Sequence, residues 1–217
     1  MSLQRKSEYP VDPMFTCRWS PRAFNAESIE PATLMTLFEA ARWAPSSFNA
    51  QPWRFIYGRR DTPAWQPLHD ALNDYNRSWA HRASVLVAVL SSTTWTPPGK
   101  LQAQPLGSHS FDTGAAWASL AFQATLLGWH AHAMGGFDRE RLRQALDIPE
   151  DHAIEAMVAI GWRSDQDVLP EALQAREVMT QRLPLDQLVA EGSFTFNGRH
   201  RNVDPAPSLT GAERVAS

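Results

Sequence analysis

The sequence predicts an α+β domain in which a central sheet, mixed or antiparallel, is flanked by helices. Residues 84–92 and 153–162 are continuous apolar runs of strand length, the pattern of strands buried on both faces. Residues 31–44 and 62–81 instead carry apolar side chains at helical spacing along one face. With 217 residues, 43% of them hydrophobic and including nine Trp and ten Phe, the chain can build one sizeable core, and nothing in its composition divides it in two. The expected organisation is an extension over residues 1–13, a single domain over 14–190 and a polar tail over 191–217.

Residues 14–24 contain R-W-S-P-R-A-F, which sets Arg18, Ser20 and Arg22 within five positions. Two guanidiniums and a hydroxyl suit an anion, held by the bidentate Arg fork, or else form a solvated basic patch. The helix over 31–44 has Pro31 in its first turn and Leu34, Leu37, Phe38 and Ala41 at i, i+3, i+4 and i+7. It runs into A-R-W-A-P-S-S-F-N-A-Q-P-W-R-F over residues 41–55. Pro45 drives Ala44 out of the α region and Pro52 keeps the exit extended, so this loop is expected to be stiff. Ser46, Ser47, Asn49 and Gln51 supply donors and acceptors between Trp43, Phe48 and Trp53, which suits a flat, heteroatom-rich ring or a turn that caps two elements. Residues 52–58 then read as a short strand.

Residues 62–81 read as one helix, with Thr62 as N-cap, Pro63 at the first position and Trp65, Leu68, Leu72, Tyr75 and Trp79 on one stripe. Asn76 lies beside that stripe. Its N-R-S also matches a glycosylation acceptor, against which a helical position and the lack of a secretory signal both argue. After the strand over 84–92, residues 93–112 hold several Pro and Gly and no periodicity, as in a long loop near the site, either a lid or a disordered stretch. Residues 112–127 form a helix apolar nearly all round, capped by Asp112 and ended by Gly128, which belongs in the interior or at a subunit interface. Residues 129–134 alternate like a strand. His130 and His132, with no third ligand near, are a weak metal constellation, and no metal is expected. Gly135 and Gly136 allow backbone to approach a flat ligand, or make a plain turn. A capped helix over 138–146 and the strand over 153–162 follow. Periodicity then fades until Arg182, Leu183 and Pro184 precede a short helix to Ala190.

A net charge of −3 gives no general attraction to nucleic acid. A lone Cys17 excludes an intramolecular disulfide and a multi-Cys zinc site, in keeping with a reducing compartment. The start, M-S-L-Q-R-K-S-E, lacks a signal peptide's apolar run. The longest apolar run, residues 85–90, is far short of the ~20 residues that span a bilayer, so a cytoplasmic location without membrane association is expected. Neither G-x-G-x-x-G nor G-x-x-x-x-G-K-[ST] occurs.

R-x-S-x-R-x-F and P-S-S-x-N-x-Q-P-W together resemble the signatures of the nitroreductase family, flavin-dependent oxidoreductases that use FMN and a nicotinamide donor. The resemblance spans residues 14–189 and implies an intertwined homodimer with two FMN at its interface. It implies that Arg18 and Ser20 hold the FMN phosphate side and Arg22 the pyrimidine edge, where a cation favours the anionic reduced flavin. The P-S-S-x-N segment, hence Ser46, Ser47 and Asn49, would reach the ring of the partner subunit. Asn76 aligns with a ring-binding Asn, and Trp79 stands where some relatives have a Lys, which would leave less positive charge beside the reduced flavin. Gly135 and Gly136 align with a Glu-Gly whose backbone lies over the ring. Gly135 departs from that Glu and can act only through backbone atoms. Arg182, otherwise a surface residue, aligns with a phosphate-binding Arg before a Leu-Pro step, and residues 112–127 resemble the D-x-G-x-A interface helix. The implied chemistry is ping-pong, with NAD(P)H reducing FMN and a nitroaromatic or quinone then taking the electrons, and with no side chain as the catalytic acid or base. Other classes stay open: a non-catalytic FMN store or sensor, or a specialised member that fragments flavin, dehalogenates or oxidises a ring.

Overall fold

The computed structural model describes residues 5–196; residues 1–4, and 197–217 of the expected polar tail, lie outside the described residues. Contacts group the described residues into two compact units, one running from Asp12 to Glu177 and the other joining residues 5–11 with residues 178–196.

The larger unit is built on a four-stranded sheet of β1 (Trp53–Arg59), β2 (Val85–Ser92), β6 (His152–Gly161) and β5 (His130–Met134), in that spatial order. Every pairing is antiparallel, which decides between the two sheet types expected. β2 is buried from Val85 to Ser91 because helices cover both faces. Its odd positions, Val85, Val87 and Val89, pack with Leu34 and Leu37 of α2 (Pro31–Arg42) and with Ala116, Leu120 and Ala124 of α5 (His109–Leu126). Leu86, Ala88 and Leu90 point the other way, toward Leu68 and Ala71 of α3 (Trp65–Ala71), Trp79 of α4 (Asp74–Ala80) and Leu142 of α6 (Arg139–Ala145). Strand period two thus sorts one apolar run into two cores.

Four elements differ from expectation, three of them in the larger unit. Residues 62–81 form not one helix but two, α3 and α4. Leu72 leaves the helical region at φ −67°, ψ 145°, and bridges Phe137, while Asn73 caps α4 by accepting the Asn76 N–H at 2.9 Å. Tertiary bonding to the segment after β5 overrides the local helical pattern. Thr62 caps neither helix, because its hydroxyl donates to the Arg59 carbonyl at 2.7 Å. Residues 93–112 are ordered: β3 (Thr94–Trp95) pairs with β4 (Gln104–Pro105), Leu106 is buried, and α5 starts at His109. Asp112 is therefore not the N-cap but lies inside the first turn, where a carboxylate also suits the helix dipole.

Beyond β6, α7 (Glu171–Gln174) buries Leu173. The expected helix to Ala190 is only a 3-10 turn, Leu185–Gln187, in the smaller unit. No helix among the described residues is long and apolar enough to cross a membrane.

Candidate functional site

The Arg18–Arg22 segment is fixed by what surrounds it. Trp19, Ala23 and Phe24 are buried, and the Phe24 ring sits 6.2 Å from that of Trp79. Between these anchors Arg18 Nη1 donates to Ser20 Oγ at 3.4 Å, so the expected anion pair does lie together. His132 Nδ1 donates to the Pro21 carbonyl at 3.0 Å, which fixes that ring's tautomer. The buried carboxylate of Glu177 accepts the Arg22 N–H at 2.8 and 3.1 Å and the Ala23 N–H at 2.9 Å. Arg22 Nε is itself buried, with no hydrogen-bond partner among the described residues.

α4 brings the next group alongside. Asn76 and Trp79, one turn apart, share a face. The Asn76 amide donates to the Gly136 carbonyl at 2.9 Å, and the Asn73 backbone N–H donates to the same oxygen at 3.1 Å. A Cβ on Gly136 would come within 2.5 Å of Asn73 Nδ2 and 2.9 Å of Asn76 Nδ2, so a side chain there would have to displace these amides; the position of a Cβ on Gly135 is open. Trp79 is 1% exposed and packs against the His132 ring at 4.7 Å, so it fills the core rather than facing a ligand.

Burial, followed by the nearby Arg22 and Arg18 charges, pushes the His132 imidazole down to about 4 against the bond to Pro21. Burial, then Arg163 and Arg18, brings His130 to about 4 as well. Both rings are neutral near pH 7. His130 faces a separate cleft of about 500 Å³ lined with Trp162 and Arg163.

The third group sits between α2 and β1. Trp43 closes α2 with its indole N–H on Glu39 at 2.8 Å, and the Arg42 and Trp43 donors hold the Glu39 carboxyl at about 2. The loop then makes a 3-10 turn, Ser47–Asn49, in which Phe48, Asn49 and Gln51 take left-handed φ of 55°, 54° and 49°. Ser46 Oγ accepts the Gln51 N–H at 3.0 Å, Gln51 Nε2 donates to the Asn49 carbonyl at 3.0 Å, and the Ser47 N–H donates to Asp112 at 3.1 Å. The Phe48 ring stacks on Trp95 of β3 at 5.1 Å and 12°. Trp53 is buried in the core, so only Trp43 and Phe48 flank the loop as surface rings.

A model of the nitroreductase family matches residues 16–63 and 59–162. The chain belongs to the nitroreductase family. It is 47% identical to a solved oxidoreductase containing FMN, with a TM-score of 0.86 over 91% of this chain and 99% of that one. It is 32% identical over 149 residues, 65% of this chain and 97% of the other, to an uncharacterized 15.4 kDa protein of the ask 5' region in Mycolicibacterium smegmatis. A putative nitroreductase in complex with FMN from Desulfovibrio desulfuricans shares the fold, with a TM-score of 0.66 at 24% identity over 87% of this chain and 99% of that one.

Within this nitroreductase-family fold the candidate residues fall into two places. Asn76, Gly135 and Gly136 lie past the end of β5, on the sheet face covered by α4, while the segment of Arg18, Ser20 and Arg22 runs alongside β5, where the Pro21 carbonyl meets His132 and Phe24 bridges Arg163. Ser46, Ser47 and Asn49 precede β1, tied to α5 on the opposite face. Trp53 pairs with Ser91, Ser91 with Ala153, and Met134 with Met157, so Gly135 and Gly136 emerge at the same end of the sheet as the loop that precedes β1. The edge strands β1 and β5 that these groups flank lie three strand spacings, about 14 Å, apart. Arg182 belongs to the smaller unit, where its exposed guanidinium donates to Thr180 and to the Gln181 carbonyl.

Asp112, Glu155 and Glu177 were not foreseen as site-shaping residues. The β2–β6 register skips Glu155, a bulge that turns its carboxylate toward α5, where it accepts Ser91 Oγ at 2.5 Å and Ser110 Oγ at 2.6 Å. That anchors the first turn of α5, from which Asp112 accepts Ser108 Oγ at 2.8 Å and the Ser47 N–H. A carboxylate inside an otherwise apolar helix was the available sign that Asp112 has a partner.

Proposed function

We propose that this chain is an FMN-dependent oxidoreductase that passes reducing equivalents from NAD(P)H to a small acceptor, such as a nitroaromatic or a quinone, in a ping-pong cycle. It works as a homodimer with two cofactor sites at the subunit interface. The observation that carries the reading is at Arg22, whose buried Nε lacks a partner among the described residues. An orphaned buried donor calls for an acceptor, which the oxygen- and nitrogen-bearing edge of a flavin supplies. The 47% identity to an oxidoreductase containing FMN supports the same cofactor.

Bound FMN supplies the hydride chemistry, and the protein supplies orientation and charge. Arg18 and Ser20 hold the phosphate side. Arg22 keeps a fixed positive charge at the pyrimidine edge, Asn76 addresses the ring, and Gly135 and Gly136 let backbone approach it. Ser46, Ser47 and Asn49 serve the other subunit's ring, a division supported by the about 14 Å between the edge strands that the two groups flank within one chain and by the opposite faces of the sheet. Because no side chain stands as a general acid, protons come from solvent or substrate.

The protein is expected to purify yellow, with released cofactor that chromatographs as FMN rather than FAD, and its flavin is expected to bleach on adding NADH or NADPH. Colourless protein that takes up no added FMN would overturn the reading. Bound FMN that no nicotinamide reduces would leave a store or sensor. Arg22→Ala is expected to lower the midpoint potential and to slow acceptor reduction by about tenfold, the scale of one charged hydrogen bond. An unchanged potential in a spectroelectrochemical titration would remove Arg22 from the ring.

A further inference from the structure

We infer that Glu177 is a positioning residue for the cofactor site: its buried carboxylate holds the main chain at Arg22, so that the guanidinium is aimed but left unneutralised. This role rests on the FMN reading of the Arg22 group. A buried carboxylate beside an arginine ordinarily pairs with the guanidinium. Here it does not, for no ion pair among the described residues joins the two side chains. One oxygen takes the Arg22 and Ala23 N–H groups at 2.8 and 2.9 Å, and the other takes the Arg22 N–H again at 3.1 Å. Main-chain donors therefore use the acceptor capacity that would otherwise quench the positive charge, and Arg22 Nε stays without a partner.

Glu177 can do this because it is rigid from behind. Leu169 and Leu173 are buried in the core, Gln174 Nε2 donates to the Leu169 carbonyl at 3.0 Å, and the Glu177 N–H donates to the Gln174 carbonyl at 3.1 Å. On the far side, Ala23 and Phe24 are fully buried, and the Pro21 carbonyl is held by His132. The Arg22 main chain is thus gripped before, at and after the residue, which fixes the direction in which the side chain leaves it. Glu177 lies beyond the family-model match, which ends at residue 162.

The test is the midpoint potential of the full-length, FMN-loaded protein in a spectroelectrochemical titration. Glu177→Ala is expected to lower the potential toward that of Arg22→Ala, because two main-chain donors lose their acceptor and the guanidinium drifts. Glu177→Gln is expected to stay near the wild type, since its carbonyl oxygen can keep both shorter bonds. The double variant Glu177→Ala with Arg22→Ala is expected to match Arg22→Ala alone, because Glu177 acts through Arg22. A wild-type potential for Glu177→Ala, shifts that add in full, or a Gln variant as low as the Ala variant would each overturn the role. Should Glu177→Ala fail to fold, Glu177→Asp, one methylene shorter, is expected to lower the potential while Gln does not, and equal values would overturn it. Wild-type protein that never loads FMN would instead fail the function reading, and this role with it.

Discussion

Acidification from pH 7 to pH 4 is expected to remove on the order of 2–3 kcal/mol of stability for each of His130 and His132, enough to bring a fold of ordinary stability near its midpoint. Both imidazoles sit near 6.5 when unfolded and at about 4 in the fold. Between those values the unfolded chain binds more protons than the folded one, so stability is complete above pH 6.5 and falls as the pH drops toward 4. The physical causes are burial first, then the positive charge of Arg163 and Arg18 at His130, and of Arg22 and Arg18 at His132. Urea midpoints at pH 7, 5.5 and 4 measure the loss. His132→Asn, whose amide can still donate to the Pro21 carbonyl, is expected to flatten its share of the slope. A midpoint unchanged between pH 7 and 4.5 would mean that neither ring is held neutral by the fold.

Mixing two inactive dimers is expected to restore activity to half of the sites. One chain carries Arg18→Ala with Ser20→Ala and the other Ser47→Ala with Asn49→Ala, damaging the two spatially separate groups. If each FMN site takes its phosphate group from one subunit and its loop from the other, the heterodimer has one site with both intact sets and one with both damaged sets. If each site is built within a single chain, every site keeps a damaged set and nothing returns. The outcome does not depend on how much each contact contributes, provided each homodimer is inactive alone. Differently tagged co-expression secures the heterodimer even when subunits never exchange. A verified heterodimer that neither binds FMN nor oxidises NAD(P)H would sink the shared site while leaving the flavoenzyme reading standing.

Much of the fold was legible because period and length decide it. The runs that became β2 and β6, and the i, i+3, i+4 spacing of α2, admit few other solutions. The break between α3 and α4 was not legible, since Leu72 and Asn73 fit a helical stripe and leave it only for long-range partners, Phe137 and the Gly136 carbonyl. Nor was the β3–β4 ribbon, whose strands have two residues each, one of them Pro105. In the site, the motif residues Arg18, Ser20, Asn76 and Gly136 were readable as types suited to a ligand. Asp112 and Glu177 were not, because each works on main-chain N–H groups that no side-chain pattern records.

The bond between Glu177 and Arg22 spans 155 positions of sequence. During synthesis, α2 can form from local contacts soon after it emerges, whereas the Arg22 and Ala23 amides have no acceptor until almost the whole compact unit has been made. A nascent chain that reaches only to about residue 170 therefore holds the arginine motif but not the carboxylate that fixes its main chain. Such a chain is expected to leave the Arg22 and Ala23 amides open to hydrogen exchange.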